Sequence, residues 1–163
     1  MPKKLMLMRH AKSSWNQPGL DDHDRPLNDR GRRDAPKMGM FLGEECLLPD
    51  LIVSSTALRA MATAEALAEA SGYEGQILFD RSLYLATPEA YLDVAAALPD
   101  ETGCAMLVGH NPGLEELVEL LTSSGETMPT AGLALIELPI KSWVELARPV
   151  RGKLIDFWRP REI

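Results

Sequence analysis

The chain has 163 residues and a formal net charge of −7, with 45% hydrophobic and 25% charged residues. This size and composition predict one globular domain over residues 1–163, long enough to enclose a hydrophobic core. The acidic balance argues against a nucleic-acid partner, because phosphate backbones need a basic surface, and no apolar run approaches the roughly 20 residues that span a bilayer.

Short apolar runs and amphipathic segments alternate through the first three quarters of the chain. The apolar runs predict buried strands at residues 5–8, 51–55, 76–79 and 105–108. The segments with helical spacing predict helices at residues 29–45, 57–72, 88–98 and 112–121. A loop over residues 11–27, rich in Pro, Gly, Asp and Asn, follows the first strand, and loops of that length in compact domains are usually functional.

The predicted helices begin at residues that are typical of helix starts. Candidate N-caps precede the first, second and fourth helices, and they are Asn28, Ser55 or Thr56, and Asn111. Pro88 opens the third helix, whereas Pro36 inside the first helix predicts either a kink or a later start.

The last part of the chain has a different pattern, with Pro and Gly turns between short apolar segments. These segments predict strands at residues 133–138, 143–147 and 153–157. Alternating strands and helices followed by a strand-rich end predict an α/β fold, with a mixed sheet and helices on both faces. The order of the strands stays open.

Three of the predicted strands lead directly to basic side chains. Arg9 and His10 follow the first strand, Arg59 lies in the first turn of the helix after the second, and His110 follows the strand at 105–108. An isolated histidine or arginine is usually a solvated surface residue, but ligands of open α/β sheets bind at the carboxyl ends of the strands. Two guanidinium groups in such a crevice favour a multiply charged anion, and phosphate matches their geometry.

These segments together resemble the histidine phosphatase (phosphoglycerate mutase-like) superfamily. Arg9-His10-Ala11 is similar to its Arg-His-Gly signature, and Arg59 lies in a Ser-x-x-x-Arg-x-x-x-Thr pattern over residues 55–63. Gly109-His110 supplies the second histidine of the family, and the three segments follow the family's order. Ala11 replaces a glycine, which is tolerable if its backbone φ is negative.

Within the superfamily the chain is most similar to the small branch of phosphohistidine phosphatases related to SixA. It is short, and Arg25-Pro26-Leu27 before the first helix matches that branch's Arg-Pro-Leu segment. The resemblance implies a three-layer α/β/α, phosphoglycerate mutase-like fold. Its sheet would be mixed but mainly parallel, and no large lid insertion would cover the site.

The resemblance also implies roles for these residues. His10 would attack phosphorus and be phosphorylated transiently, with a backbone carbonyl holding its other ring nitrogen. Arg9, Arg59 and His110 would surround the phosphoryl group, and water would then hydrolyse the phosphoenzyme without metal or cofactor. Arg25 is predicted either to bind phosphate as well or to pair with an aspartate, Asp22 or Asp29.

The general acid is not identified by the sequence. The candidates are carboxylates of the long loop and of a helix start, namely Asp21, Asp22, Asp24 and Glu89, and the site could also lack an acid. A phosphoramidate substrate needs the acid less, because an imidazole leaving group can carry its own proton. Trp15 is predicted to line the mouth of the pocket or to pack the loop onto the domain.

Several functions remain open at this stage. The favoured substrate is a phosphohistidine-bearing protein, the alternatives are a small phosphate ester and a non-catalytic phosphate-recognition module, and a mutase would need a more closed site. A zinc site of His10, His23 and His110 is disfavoured, because arginine beside a ligand opposes a cation.

The compartment and assembly are predicted less directly. No signal-peptide-like apolar region and no disulfide framework are evident, since the only cysteines are Cys46 and Cys104. We therefore expect a reduced, cytoplasmic protein without a membrane partner. The oligomeric state stays open, a monomer included.

Overall fold

A computed structural model describes residues Met1–Ile163. Its strands form one six-stranded sheet, and they are β1 Lys3–Arg9, β2 Leu51–Ser54, β3 Ile77–Phe79, β4 Cys104–Gly109, β5 Leu133–Leu138 and β6 Lys153–Trp158. The strand order is β3-β2-β4-β1-β5-β6. The four strands β3, β2, β4 and β1 pair in parallel with one another, whereas β5 is antiparallel to both β1 and β6. The predicted mixed, mainly parallel sheet is therefore confirmed.

Four helices cover the two faces of this sheet, and they are α1 Asp29–Glu44, α2 Leu58–Ser71, α3 Pro88–Ala96 and α4 Gly113–Thr122. Side chains of a strand alternate between the faces, so Leu5 and Leu7 of β1 pack with α3 and α4, while Met6 and Met8 pack with α1 and α2. The result is the predicted three-layer arrangement, with a hydrophobic core on each face. None of its helices is long and apolar enough to cross a membrane.

Helices α1 and α2 approach closely where α1 has a glycine. A Cβ atom at Gly39 would lie 2.4 Å from the carbonyl oxygen of Leu67, a distance that no real side chain adopts. Gly39 therefore sets the spacing between the helix that follows the long loop and the helix that carries Arg59.

The predicted helix starts are only partly correct. The Asn28 side chain accepts a hydrogen bond from the Gly31 N–H at 2.9 Å, which confirms it as the α1 N-cap. Because α1 begins at Asp29, Pro36 lies inside the helix and does not delay its start. Pro88 is the first residue of α3, as predicted.

The other two predicted N-caps are wrong, because those side chains have partners elsewhere. The N-cap of α2 is Ala57 rather than Ser55 or Thr56. The N-cap of α4 is Pro112, and the Asn111 amide instead donates to the carbonyl of Met128 at 2.9 Å.

The predicted strand over residues 143–147 is also wrong, since Trp143–Ala147 is a short 3-10 helix. The Glu145 carboxylate accepts a hydrogen bond from the Ser142 N–H at 2.9 Å, as in a capping box. Trp143 and Leu146, three residues apart, both face the core. Helical spacing over so few residues is easily mistaken for the alternation of a strand.

The long loop between β1 and α1 contains one short 3-10 turn, Asp22–Asp24. An isolated bridge between Ser13 and Leu27 joins the two ends of the loop. The turn contacts the start of α2, where Arg59 hydrogen bonds to Asp22. The loop is thereby held beside the carboxyl ends of the central strands.

Candidate active site

The five residues predicted to form the site lie together around one cavity of about 320 Å³. Strands β1, β2 and β4 are adjacent and parallel, so their carboxyl ends meet at one edge of the sheet. The residues that this edge and the long loop bring to the cavity are Arg9, His10, Arg25, Arg59 and His110.

His10 is almost fully buried, and its ring is fixed by the backbone. Its Nδ1 lies 2.7 Å from the Ala11 carbonyl oxygen, which can only accept, so Nδ1 carries the proton and Nε2 has the free lone pair. Burial, together with the charges of Arg59, Arg9 and Arg25, lowers the pKa of His10 to about 4 against the opposing Ala11 hydrogen bond. Near neutral pH His10 is therefore an uncharged imidazole.

Ala11, which replaces the family's glycine, fits the chain turn after β1. Its backbone φ is not positive, and its side chain is fully buried. Its N–H donates to the Thr63 hydroxyl at 2.9 Å, and that hydroxyl donates to the Arg59 carbonyl at 2.7 Å. The threonine of the Ser-x-x-x-Arg-x-x-x-Thr pattern thus connects the histidine segment to the helix that carries the arginine.

Arg59 reaches into the centre of the cavity and is nearly inaccessible to solvent. Its Nε lies 3.4 Å from His10 Nε2, and its Nη2 lies 3.5 Å from His110 Nδ1. The two terminal nitrogens also donate to Asp22, to the carbonyl oxygen at 2.6 Å and to the carboxylate at 2.9 Å. One guanidinium group therefore joins both histidines to the long loop.

His110 is held from two sides. Its Nε2 lies 2.9 Å from the Ser55 hydroxyl, and its backbone N–H donates to the Tyr91 hydroxyl at 2.9 Å. Its ring centroid lies 5.1 Å from that of His10. Burial, and then the charges of His10 and Arg59, lower the pKa of His110 to about 3, so this ring is also neutral near pH 7.

A close contact with Tyr91 explains why a glycine, Gly109, precedes the second histidine. A Cβ atom at this position would lie 2.1 Å from the Tyr91 hydroxyl oxygen. The absent side chain therefore makes room for the hydroxyl that holds the His110 backbone.

Arg9 has a donor without a partner. Its Nη1 donates to the Met128 carbonyl at 3.1 Å, but its buried Nε forms no hydrogen bond. A buried donor in this state costs free energy unless a ligand or water satisfies it. Arg9 also lines the cavity, so its positive charge favours an anion there.

Arg25 combines the two alternatives predicted for it, because it lines the cavity and also pairs with Asp22. Its Nε lies 3.1 Å from the Asp22 carboxylate, and its Nη1 donates to the Ser13 hydroxyl at 2.7 Å. Asp29 pairs with Arg32 instead.

Trp15 also lines the cavity and stacks on the outer face of Arg25. Its ring centroid lies 3.5 Å from the guanidinium carbon, and 72% of the residue is exposed to solvent. Trp15 therefore lies at the mouth of the cavity rather than within the packing of the domain.

Of the four general-acid candidates, Asp22 alone lines the cavity. Its carboxylate accepts hydrogen bonds from the Tyr84 hydroxyl at 2.5 Å, from Arg59 and from Arg25. Burial opposes ionisation, but these hydrogen bonds outweigh it and hold the pKa of Asp22 far below its usual range. Asp22 thus has no proton to donate in this state. The remaining candidates are exposed and lie outside the cavity lining, and they are Asp21, Asp24 and Glu89.

Sequence reasoning missed several residues of the site. Tyr84 contacts Asp22, whereas Leu85, Asn111 and Thr130 line the cavity. Tyr84 and Leu85 follow a short 3-10 turn rather than a strand end, and Thr130 precedes β5, so no motif marks them. Asn111 directly follows His110, and that adjacency could have identified it.

The third histidine does not join the other two. His23 Nε2 lies 2.8 Å from the Thr56 hydroxyl, and its ring packs edge-on against Tyr84. No three side chains of His, Cys, Asp or Glu are grouped so that they could hold a metal ion.

Known proteins share both the sequence and the fold of this chain. The model of the histidine phosphatase superfamily (branch 1) matches residues 5–83, which include Arg9, His10 and Arg59. An uncharacterised chloroplastic protein of Arabidopsis thaliana is 35% identical over 153 residues, which cover 88% of this chain and 70% of that protein. An uncharacterised protein of Mycobacterium leprae is 32% identical over 167 residues, covering 94% of this chain and all of that protein.

The similarity extends to a solved structure. A crystal structure of a protein of Agrobacterium tumefaciens, assigned as the phosphohistidine phosphatase SixA, superposes with a TM-score of 0.83 at 35% identity, covering 98% of this chain and 99% of that one. The predicted phosphoglycerate mutase-like α/β fold is thus confirmed. On this sequence and structural similarity, the chain belongs to the histidine phosphatase superfamily.

Proposed function

We propose that this protein is a phosphatase that acts on phosphohistidine-bearing protein, through a covalent phosphohistidine intermediate on His10 and without a metal ion. The observation that carries the proposal is the His10 ring, which is neutral, has its proton fixed on Nδ1 by Ala11, and keeps Nε2 beside the guanidinium group of Arg59. A buried, oriented nitrogen lone pair beside a cation is what attack on a phosphoryl group requires.

In the first step, the lone pair of His10 Nε2 forms a bond to phosphorus while the bond from phosphorus to the leaving nitrogen breaks. The substrate ring already carries a proton on its other nitrogen, so it keeps the electron pair of the broken bond and leaves as a neutral imidazole. The attacking ring becomes positively charged, and its Nδ1–H donates a stronger hydrogen bond to the Ala11 carbonyl 2.7 Å away.

Charge on the transferring phosphoryl oxygens is neutralised by fixed groups. Arg59 lies between the two histidines, and Arg9 lines the same cavity. Donors positioned in this way stabilise a transition state without reorganising. A bound phosphoryl dianion also raises the pKa of His110, so its Nδ1 can take a proton and donate it to an oxygen.

In the second step, a water molecule attacks the phosphorus of the phosphoenzyme. The bond between phosphorus and His10 Nε2 breaks, its electron pair returns to the ring, and both protons of the water leave with the phosphate as dihydrogen phosphate. The Ala11 carbonyl restores the same tautomer, so the enzyme is ready for another turnover.

The protonation state of Asp22 supports phosphohistidine as the substrate class. The carboxylate is ionised and held by Tyr84, Arg59 and Arg25, so it does not protonate an alcohol leaving group. An imidazole leaving group does not need that acid. The 35% identity with the Agrobacterium protein assigned as SixA supports the same class.

The mouth of the cavity supports a substrate that is part of a protein. Trp15 and Leu85 line the cavity and are 72% and 58% exposed. Leu85 has a positive φ of 51°, a conformation that costs a branched residue about 1 kcal/mol or more. Apolar side chains at the rim of a polar cavity suit the flat ring of a leaving imidazole and the peptide around it.

The deciding experiment compares a phosphohistidine peptide with p-nitrophenyl phosphate, for the native protein and His10→Ala, with chelator present. We expect turnover of the peptide that His10→Ala abolishes. His23→Ala is the matched control, because His23 lies outside the cavity and bonds to Thr56.

The other outcomes each point elsewhere. Turnover of the ester alone would keep the mechanism but make small phosphate esters the substrates. Phosphate binding without any turnover would favour a recognition module. Isomerisation of 3-phosphoglycerate would favour a mutase.

A further inference from the structure

Asp22 holds a position in the site that its sequence context does not explain. It lies in a three-residue 3-10 turn of the long loop, yet its carboxylate accepts from Arg59 at 2.9 Å, Arg25 at 3.1 Å and Tyr84 at 2.5 Å. Two arginines and a tyrosine thus converge on one carboxylate inside the cavity that contains His10.

These donors are the ones a phosphoryl group would use. Guanidinium groups bind carboxylate and phosphate oxygens with the same planar geometry. Both terminal nitrogens of Arg59 donate to Asp22, one to its carbonyl and one to its carboxylate. A phosphoryl group beside His10 Nε2 therefore competes with the Asp22 carboxylate for Arg59.

The carboxylate can leave without disturbing the arginines. Its side chain is 41% exposed, so it can turn into water while the phosphoryl group takes its place as the counter-ion of Arg59 and Arg25. Arg25 keeps its hydrogen bonds to the Ser13 hydroxyl and the Ser14 carbonyl, and Arg59 keeps the Asp22 carbonyl. The anion-binding groups thus stay in place when the carboxylate moves.

We propose that Asp22 is a displaceable anion of the phosphoryl subsite, which the substrate expels on binding and which returns to expel the phosphate product. This inference rests on the proposed function, since the subsite is the one beside His10. Competition of this kind weakens the binding of every phosphate species at the site, including the product, and so favours product release.

The test measures binding of inorganic phosphate by calorimetry to the native protein and to Asp22→Asn. The amide has nearly the same shape but no charge, so we expect phosphate to bind about tenfold to a hundredfold more tightly, in line with the loss of competing charge-assisted hydrogen bonds. Asp24→Asn is the matched control, because Asp24 belongs to the same turn but pairs with His23. Its affinity should equal that of the native protein.

Unchanged or weaker phosphate binding in Asp22→Asn would overturn the proposal, because Asp22 would then merely position the arginines. The amide of Asp22→Asn can itself donate a hydrogen bond to phosphate. Asp22→Ala lacks this donor and should also bind phosphate more tightly than the native protein. A thermal unfolding curve for each variant, with and without phosphate, checks the fold and gives an independent ranking of affinity.

Tyr84→Phe provides a graded test, because it removes one of the three donors that hold the carboxylate. We expect a smaller, severalfold tightening of phosphate binding. Weaker binding would count against the proposal, since Tyr84 would then be a phosphate ligand itself. All these measurements are made without turnover, so they still decide on Asp22 if the protein hydrolyses no phosphohistidine.

Discussion

The two sides of the cavity are built in different ways. On the sheet side, His10 and His110 follow buried strands. The His10 ring bonds to the Ala11 carbonyl, and the His110 backbone N–H donates to the Tyr91 hydroxyl. On the loop side, Asp22 and Trp15 are partly or largely exposed, and they are held by side chains: Asp22 by Arg59, Tyr84 and Arg25, and Trp15 by stacking on Arg25. The comparison shows that the groups proposed to react are positioned by buried strands, while the loop side depends on contacts between side chains.

The largest effect should come from the sheet side. We expect His10→Ala to remove all detectable turnover, because the other imidazole at this edge, His110, has its Nε2 on the Ser55 hydroxyl and its Nδ1 3.5 Å from Arg59 Nη2. The measurement is single-turnover hydrolysis with acid-labile phosphate trapped on the protein. Labelled phosphoenzyme in the variant would mean that another residue attacks phosphorus.

Arg59→Ala tests the group that joins the two sides. We expect kcat to fall by about 10²–10³, as is typical when one donor to developing charge is removed. Arg30→Ala is the control, since Arg30 lies on α1, is exposed and pairs with Asp34. A change in KM alone for Arg59→Ala would show that the guanidinium binds substrate and transition state equally.

The fall of kcat/KM at low pH should also report on the sheet side, because it follows the protonation of His10. The pKa of His10 is lowered to about 4, so kcat/KM should stay high as the pH falls through 6.5 and decline tenfold per unit only near pH 4. An acid limb near 6.5 would show that His10 is solvated in the free enzyme, which would contradict the contrast with the loop.

Stability should depend on pH in the same range. The folded pKa values of His10 and His110, about 4 and about 3, lie below the unfolded value near 6.5, so the unfolded chain binds more protons. Unfolding should therefore become easier as the pH falls from about 6.5 towards 4. Thermal unfolding at several pH values measures this, and His10→Asn should reduce the dependence.

The smallest effect should come from the loop side. Trp15→Ala removes a ring that stacks on Arg25 at 3.5 Å, an exposed contact worth about 0.5–1 kcal/mol. We expect KM for a phosphohistidine peptide to rise severalfold with kcat nearly unchanged. A large fall in kcat would mean that the loop takes part in the chemistry, and the distinction between the two sides would fail.

The features that follow from local sequence could be predicted. Buried runs predicted the central strands, and their last residues predicted that Arg9, His10 and His110 would meet. Asn28 caps α1 as predicted, because its side chain accepts from the Gly31 N–H only three residues away. The condition that makes Ala11 tolerable, a backbone φ that is not positive, is also met.

The features that depend on long-range partners could not be predicted. Tyr84 contacts Asp22 across 62 residues, and nothing in either segment indicates the other. The side chains of Ser55 and Asn111 suit N-caps, but the Ser55 hydroxyl contacts His110 Nε2 and the Asn111 amide donates to the Met128 carbonyl. A polar side chain has several possible partners, and tertiary packing selects among them.

The contact between Gly109 and Tyr91 has a consequence for the evolution of this site. A methyl group at position 109 would lie 2.1 Å from the Tyr91 hydroxyl oxygen and still within 2.9 Å of two ring carbons, so shortening the side chain to phenylalanine would not make room for it. In a library of random substitutions, position 109 should thus accept no replacement while Tyr91 is present, and Tyr91→Phe should not restore one. A residue that touches no phosphate would then be as invariant among active variants as the nucleophile itself.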